Sequence, residues 1–418
     1  MHSLRDMGYE FPSAVADLVD NSIDAGASEV RVTMGSDWRG SFLRLADNGS
    51  GMSERELEEA MRYGTKRVYL SDDLGYFGLG LKTASLSQCR RLTVATRSTL
   101  KGRIRIRRWD LDHVSDMDAW LLERPRAFDC RPELVEPLRG STGTVILWEK
   151  LDRVLGNRRP IGDAAQRKLY LVAEDLRLHL AMIFHRFLSG DTRRRRLRIA
   201  LNDIPVTAWD PFASSEPLTQ TLPVQRLPIE HEDHRFHVIV RPFILPAQHQ
   251  FSTPEAHESA GGPNRWNRQQ GLYIYRRDRL IQSGGWNRLR TLDEHTKLAR
   301  IALDIPADAD EAFRTNVAKM SVGLPDELRP QLRVLIAGVL SRAQETYRRR
   351  IHVVPDVNTE TRQNDPQSTS FVLGDHWPMI VEVLEREMAD HPDLVDRVLV
   401  ALANARLPPA AGADALAS

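Results

Sequence analysis

The sequence predicts an α+β chain in which an N-terminal α/β sandwich is followed by a second α/β domain and a short helical tail. Three observations predict it. An amphipathic helix at Phe11 to Asp24 leads directly into two alternating strands, Val30 to Met34 and Phe42 to Ala46. Strand–turn–strand patterns then recur at Arg198 to Val206 and Gln270 to Ile281, with a lone strand at Phe236 to Phe243 between them. Beyond Arg350 the composition turns to Asn, Thr, Gln, Asp and Pro before a helical pattern resumes at Trp377. The expected divisions are residues 1–155, 156–350, a linker at 351–370, a helical tail at 371–408 and a disordered end at 409–418.

The first helix sets Phe11, Val15, Leu18, Val19 and Ser22 on one side and Ser13, Asp17, Asn21 and Asp24 on the other. One face packs and the other carries oxygens. Such a face suits Mg²⁺, which takes amide, carboxylate, water and phosphate oxygens, with Asn21 the natural ligand. Asp17, one turn earlier, is placed to take a proton from an attacking water. An amphipathic surface helix with an acidic solvent face fits this segment equally well by itself.

The second strand ends in Asp47-Asn48-Gly49-Ser50-Gly51-Met52, where glycines allow close backbone approach to a ligand. A carboxylate there accepts from an exocyclic amine, which favours adenine over guanine; an ordinary Gly-containing turn is the plainer alternative. Ser53 and Glu56 then form a capping box for a helix through Met61. Gly75, Gly78 and Gly80, followed by Lys82 and Thr83, make a candidate phosphate cradle at a helix N-terminus. It has neither the Walker order nor the dinucleotide fingerprint. Gly143-Thr144-Val145 is the last motif of the series. In this order the motifs read as an ATP site.

The order and spacing of these motifs resemble the GHKL superfamily of ATPases, which groups gyrase, heat-shock chaperones, histidine kinases and MutL. The resemblance implies a Bergerat-type ATP-binding sandwich with ATP and Mg²⁺ as ligands. It implies Asn21 as the Mg²⁺ ligand, Asp47 as the adenine-binding aspartate and Gly49, Gly51 and Met52 as its pocket wall. Asp24 and Ala25 close the first motif, and Thr144 supports the adenine contact. Gly75, Gly78, Leu79, Gly80, Leu81, Lys82 and Thr83 resemble the lid over the phosphates. One departure falls on the chemistry: hydrolytic members usually open the first motif with Glu, and Asp17 stands there. The carboxylate then sits about 1.5 Å further back, a misplacement that costs on the order of 100-fold in rate, so slow turnover is expected.

From about Asp163 the segment through Phe187 reads as a helix, and the strands after it resemble the S5-like transducer domain of MutL, gyrase and MORC ATPases. The string Tyr273-Ile274-Tyr275-Arg276-Arg277-Asp278-Arg279-Leu280-Ile281 is most like the MORC and chaperone branches. Lys319 is the candidate for the transducer lysine that reaches the γ-phosphate; a solvated lysine at a helix start is the alternative.

A chain of 418 residues with 41% hydrophobic content can bury two or three cores, and a net charge of +1 gives no global pull toward nucleic acid or membrane. Local charge differs. The Arg193–Arg198 cluster and the alternating Arg103, Arg105, Arg107 and Arg108 are candidates for DNA or RNA phosphates, or are simply solvated. Cys89 and Cys130 form no metal pattern and fit a reducing compartment, and neither a signal core nor a membrane-length run is present, so a cytoplasmic location is expected. The spaced His231, His234 and His237 do not make a metal set.

The short stretch before the first motif argues against a sensor kinase, and the absence of further domains against a cleaving gyrase. The expectation is a MORC-like ATPase whose lid closure drives homodimerisation, acting as a clamp or switch on DNA or protein, with genome defence as one setting. A chaperone-like remodeller of protein clients and a nucleotide-bound scaffold with little hydrolysis are the alternatives.

Overall fold

The structure, a computed structural model, describes residues 5, 9–62, 80–156, 162–192, 194–231, 234–306, 309–310, 312–313 and 322–348. Helix α1 (Phe11–Asp24) carries Pro12 in its first turn, where the missing amide costs nothing. It stops at Gly26, whose φ of 73° turns the chain so that the Gly26 amide donates to Ile23 O at 2.9 Å. Burial of Val15, Leu18 and Val19, all fully covered, contributes about 2 kcal/mol each.

Strands β1 (Glu29–Asp37) and β2 (Gly40–Asp47) then form a hairpin that sets Val30 opposite Asp47. Helix α2 (Glu54–Met61) starts with the expected capping box between Ser53 and Glu56. After α3 (Gly80–Gln88) come β3 (Arg91–Arg97), β4 (Arg105–Asp110) and β5 (Gly143–Glu149). In β5 every residue is buried, which explains its unbroken apolar run from Val145 to Trp148. The long helix α4 (Asp163–Ile183) presents Leu169, Ala173, Leu176 and Leu180 to the same core as α1.

Strands β6 (Arg198–Leu201) and β7 (Ile204–Pro205) turn at Asn202 and Asp203, with φ of 49° and 64°. The hairpin expected here is present, but it extends the first sheet rather than the second: β6 runs parallel to β1, and Asn202 Oδ1 accepts the Met34 amide at 2.8 Å. The open edge of β1 needs partners for its amides and carbonyls, and this hairpin supplies them. The first sheet thus has 7 strands in the order β4-β3-β5-β2-β1-β6-β7 and draws its last two from beyond residue 155.

The second sheet comprises β8 (Gln220–Thr221), β9 (Gln225–His231), β10 (His234–Ile244), β11 (Gly271–Arg276), β12 (Arg279–Ser283) and β13 (Ala299–Ile305). Its order is β12-β11-β13-β10-β8, with β9 also on β10 and β11 parallel to β13. The β11–β12 turn falls on Arg277 and Asp278, with φ of 51° and 68°. One face packs on helix α5 (Leu328–Arg348) through Leu332, Leu335, Ile336, Val339 and Leu340. From the other, Tyr273, Tyr275 and Leu280 join the core of the first sheet, so the two sheets share apolar packing. The fold is therefore mixed α+β, as the sequence predicts. The linker, helical tail and terminal segment expected after residue 350 lie outside the described residues.

Candidate functional site

Asp47, the last residue of β2, is the polar centre of the first sheet. Its Oδ1 accepts the amides of Gly49 at 2.9 Å and Thr144 at 3.2 Å, and its Oδ2 accepts the Ser22 hydroxyl at 3.2 Å. The β2–β5 register makes Asp47 and Thr144 direct partners. Burial pushes its carboxyl up to about 6, against the pull of these three donors. Thr96 on β3 ties the surroundings together: its hydroxyl accepts the Met52 amide at 2.8 Å, donates to Gly143 O at 3.0 Å and lies 3.1 Å from the Thr144 hydroxyl. Two glycines are obligatory here. A Cβ on Gly51 would fall 2.1 Å from Arg97 O and one on Gly143 2.0 Å from Asp47 O, and both residues have positive φ. The Ser50 amide donates to Ala25 O at 2.9 Å, which pins the loop after β2 to the end of α1.

On the oxygen-bearing face of α1, Asn21 is exposed but Asp17 is 4% exposed, and Asp20 next to it is 0% exposed, so the alternative of a solvated acidic face does not describe Asp17. Arg279, the first residue of β12, donates through Nε to Asp20 at 2.9 Å, and its Nη2 lies 3.5 Å from Asp17 Oδ1. Tyr9 donates to Asp17 Oδ2 at 3.0 Å. Burial, followed by the charge of Asp17, pushes the Tyr9 phenol well up, so it stays a donor. A buried carboxylate needs a cation or donors to remain charged, and the second sheet supplies the cation. Asp24 accepts from Arg194 at 3.1 Å.

In α3, Leu81 packs against the core and Lys82 is fully buried, its ammonium donating to Arg62 O and pushed down in pKa by burial. Lys82, expected in a phosphate lid, is here turned onto the end of α2. Thr83 Oγ1 and Ser85 Oγ are buried with no hydrogen-bond partner among the described residues. Gly75, Gly78, Leu79 and Lys319 lie outside the described residues. The residues present fit a nucleotide with Mg²⁺: a buried acceptor at Asp47, a hydroxyl at Thr83 in the first turn of a helix still to be paired, and the hard amide oxygen of Asn21.

The sequence profile of the histidine kinase-, DNA gyrase B- and HSP90-like ATPases matches residues 9–142. This stretch is a GHKL-superfamily ATPase domain. The chain is also similar to the DNA mismatch repair protein MutL of Azorhizobium caulinodans, at 39% identity over 89 residues, 20% of this chain and 14% of that protein. MutL of Aeromonas hydrophila is 41% identical over 92 residues, 21% of this chain and 14% of that protein. MutL of Mannheimia succiniciproducens is 35% identical over 91 residues, again 14% of that protein. The likeness thus spans about a fifth of this chain and about a seventh of each relative.

Five residues of the site escape sequence reasoning: Ser22, Thr96, Tyr9, Asp20 as an ion-pair member, and Arg279. Ser22 sits on the apolar side of α1, Thr96 inside a strand without a motif, and Arg279 in another sheet; only the Asp-Arg turn ahead of β12 marks the last. Several members of the arginine runs have partners within the chain, although Arg195, Arg196 and Arg198 are exposed. Arg194 pairs with Asp24, Arg196 donates to Leu188 O and Arg198 pairs with Glu29, while Arg193 lies outside the described residues. Arg107 pairs with Glu54 and Glu58, and Arg108 lies 3.8 Å from Glu123. Among the described residues, no cluster of His, Cys, Asp and Glu could hold a metal, and no helix is long and apolar enough to cross a membrane.

Proposed function

We propose that this chain binds ATP with Mg²⁺ and hydrolyses it slowly, using closure over the phosphates to drive homodimerisation as an ATP-gated clamp or switch. The observation that carries this reading is the buried Asp47 carboxylate, held by Gly49, Thr144 and Ser22 at the end of β2 inside the ATPase domain. Bound ATP with its metal supplies a polarised phosphoanhydride. The chain's residues do the rest: Asp47 accepts from the adenine amine and rejects guanine, whose matching group is a carbonyl. Thr96 and Thr144 hold that edge of the pocket, Asn21 offers the Mg²⁺ ligand, Thr83 donates toward phosphate, and Asp17 takes the proton of the attacking water. Asp24, Ala25, Leu81 and Lys82, together with the lid glycines and Lys319, belong to the same proposal.

DNA as the cargo is favoured by the relatives' name as DNA mismatch repair proteins. The Tyr273-to-Ile281 string, a β11–turn–β12 hairpin, supports the narrower MORC-like assignment. The scaffold reading has one specific observation behind it, the engagement of Asp17 by Tyr9 and Arg279.

The test is titration of a fluorescent ATP analogue with Mg²⁺ onto wild type, Asp47→Asn and Asn21→Ala, with turnover and oligomeric state recorded. Loss of affinity by about 30-fold in Asp47→Asn, in line with a hydrogen bond to a charged group, and a preference for ATP over GTP support the reading. A wild-type chain that binds no nucleotide ends it. Binding without turnover selects the scaffold.

A further inference from the structure

Arg279 and Asp20 are 259 residues apart in sequence yet in direct contact, the former at the start of β12 in the second sheet and the latter on the nucleotide-site helix. The guanidinium is 4% exposed, its Nε lies 2.8 Å from Asp20 Oδ2 and 2.9 Å from Asp20 Oδ1, and its Nη2 lies 3.5 Å from Asp17 Oδ1. Tyr9 takes the other oxygen of Asp17. His179 on α4, its pKa pushed down to about 4 by burial and then by Arg279, completes the titratable surroundings as a neutral ring. Phe184, beyond the end of α4, packs 5.9 Å from the guanidinium carbon.

This is more than a bond between sheets. Asp17 and Asp20 are one helical turn apart, so a planar guanidinium anchored on Asp20 through Nε, with Nη1 on Leu280 O, fixes where Nη2 points. Nη2 and the Tyr9 hydroxyl address one oxygen each of Asp17 and so hold its carboxylate plane from two sides. An Asp is shorter than the Glu usual at this place, and a side chain that only just reaches its water tolerates little rotation.

We propose that Arg279 is a positioning residue: it sets the orientation of Asp17 from the second sheet, so that displacement of β12 relative to α1 switches hydrolysis without altering nucleotide affinity. This rests on reading Asp17 as the base. Arg279 acts on turnover through Asp17, which it contacts from β12. The coupling runs both ways, because a change in α1 on nucleotide binding pulls on β12 through the same guanidinium.

The experiment compares wild type, Arg279→Gln, Arg279→Lys, Tyr9→Phe and the neutral pair Asp20→Asn with Arg279→Gln, measuring ATP binding, KM and kcat. It also measures amide hydrogen exchange of α1 and β12 in the nucleotide-free protein. Arg279→Gln is expected to lower kcat by about 10- to 100-fold, the cost of a misplacement near 1 Å, with ATP affinity within threefold of wild type. Arg279→Lys is expected to recover part of the loss, and without nucleotide α1 and β12 exchange together in wild type but separately in Arg279→Gln. The neutral pair replaces a buried ion pair with hydrogen-bonding isosteres and keeps the test valid where the single variant fails to fold. Full kcat in Arg279→Gln or in the neutral pair overturns the inference, as does a parallel loss of affinity and kcat in a folded variant. Wild type that binds no ATP overturns the nucleotide reading and this one with it; wild-type turnover with indifferent Arg279 variants overturns this one alone.

Discussion

The two ends of the candidate site are built on different plans. At the Asp47 end, Asp47, Thr144 and Thr96 belong to adjacent strands and Gly49 to the loop after β2, so strand register and a short loop bring them together, with Ser22 of α1 added from above the sheet. At the Asp17 end, a helix from the first sheet's layer meets an arginine from the second sheet and a tyrosine from the chain start. Register sets the first end, which suits its proposed part in recognising adenine. The second end depends on how two sheets sit against each other, which suits a part of the site that must respond to the rest of the protein.

Substitution at the Asp17 end should separate rate from affinity most sharply. Asp17→Asn keeps the hydrogen bonds of the side chain's acceptor oxygen but removes the base, so kcat is expected to fall by about 1000-fold while ATP affinity changes by less than threefold. Steady-state turnover beside equilibrium binding checks it. Equal losses in both would mean that the two ends are not distinct. The next largest effect belongs to the Asp47 end. Gly143→Ala places a Cβ 2.0 Å from Asp47 O at a φ of 143°, and about 3 kcal/mol of stability should be lost, read as a fall in melting temperature accompanied by weakened nucleotide binding.

The contrast also explains what was legible in the sequence. Helix α1, the β1–β2 hairpin, the capping box at Ser53 and the turns at Asn202 and Arg277 are written in short-range patterns, and each forms as read. The family match over residues 9–142 covers the first three of these. What was not legible is long-range. Nothing around Asp17 announces that its solvent side is covered by Arg279, because covering depends on a partner more than 250 residues away. The β6–β7 hairpin was read correctly as a hairpin and placed with the wrong sheet, since turn chemistry sets the hairpin but the free edge of β1 sets its partner. Within the arginine runs, the carboxylates that pair with Arg107 and Arg194 lie on other elements and are invisible to the local sequence.

A pH experiment sharpens the comparison at comparable size. Asp47 is raised to about 6 in the folded protein from an ordinary value of 3.8. The folded state therefore holds a proton that the unfolded chain releases between these values, and the deficit from burying the carboxylate is full above pH 6 and relieved as pH falls toward 4. Relative to Asp47→Asn, wild type should gain on the order of 3 kcal/mol of stability between pH 7 and pH 4. Asp37, Asp110 and Asp112 are held below the ordinary carboxylate range and act in the opposite direction, but they are common to both proteins and cancel. Denaturant melts at the two pH values check the sign, and a pH-independent difference would mean that Asp47 is not the buried acceptor.

The smallest effect tests whether the Asp47 end is held together by a single hydroxyl. Thr96 accepts the Met52 amide at 2.8 Å and donates to Gly143 O at 3.0 Å, so one side chain links the loop after β2 to the start of β5. Thr96→Val keeps the branched shape and the strand preference while leaving the half-buried Met52 amide without its acceptor. A stability loss of about 1 to 2 kcal/mol is expected, with ATP affinity reduced by about threefold to tenfold and kcat at saturation unchanged. The direction of that split is the opposite of the one expected for Arg279→Gln. If both variants moved kcat and affinity together, register and inter-sheet contact would be controlling a single site rather than a fixed recognition end and a movable chemical one.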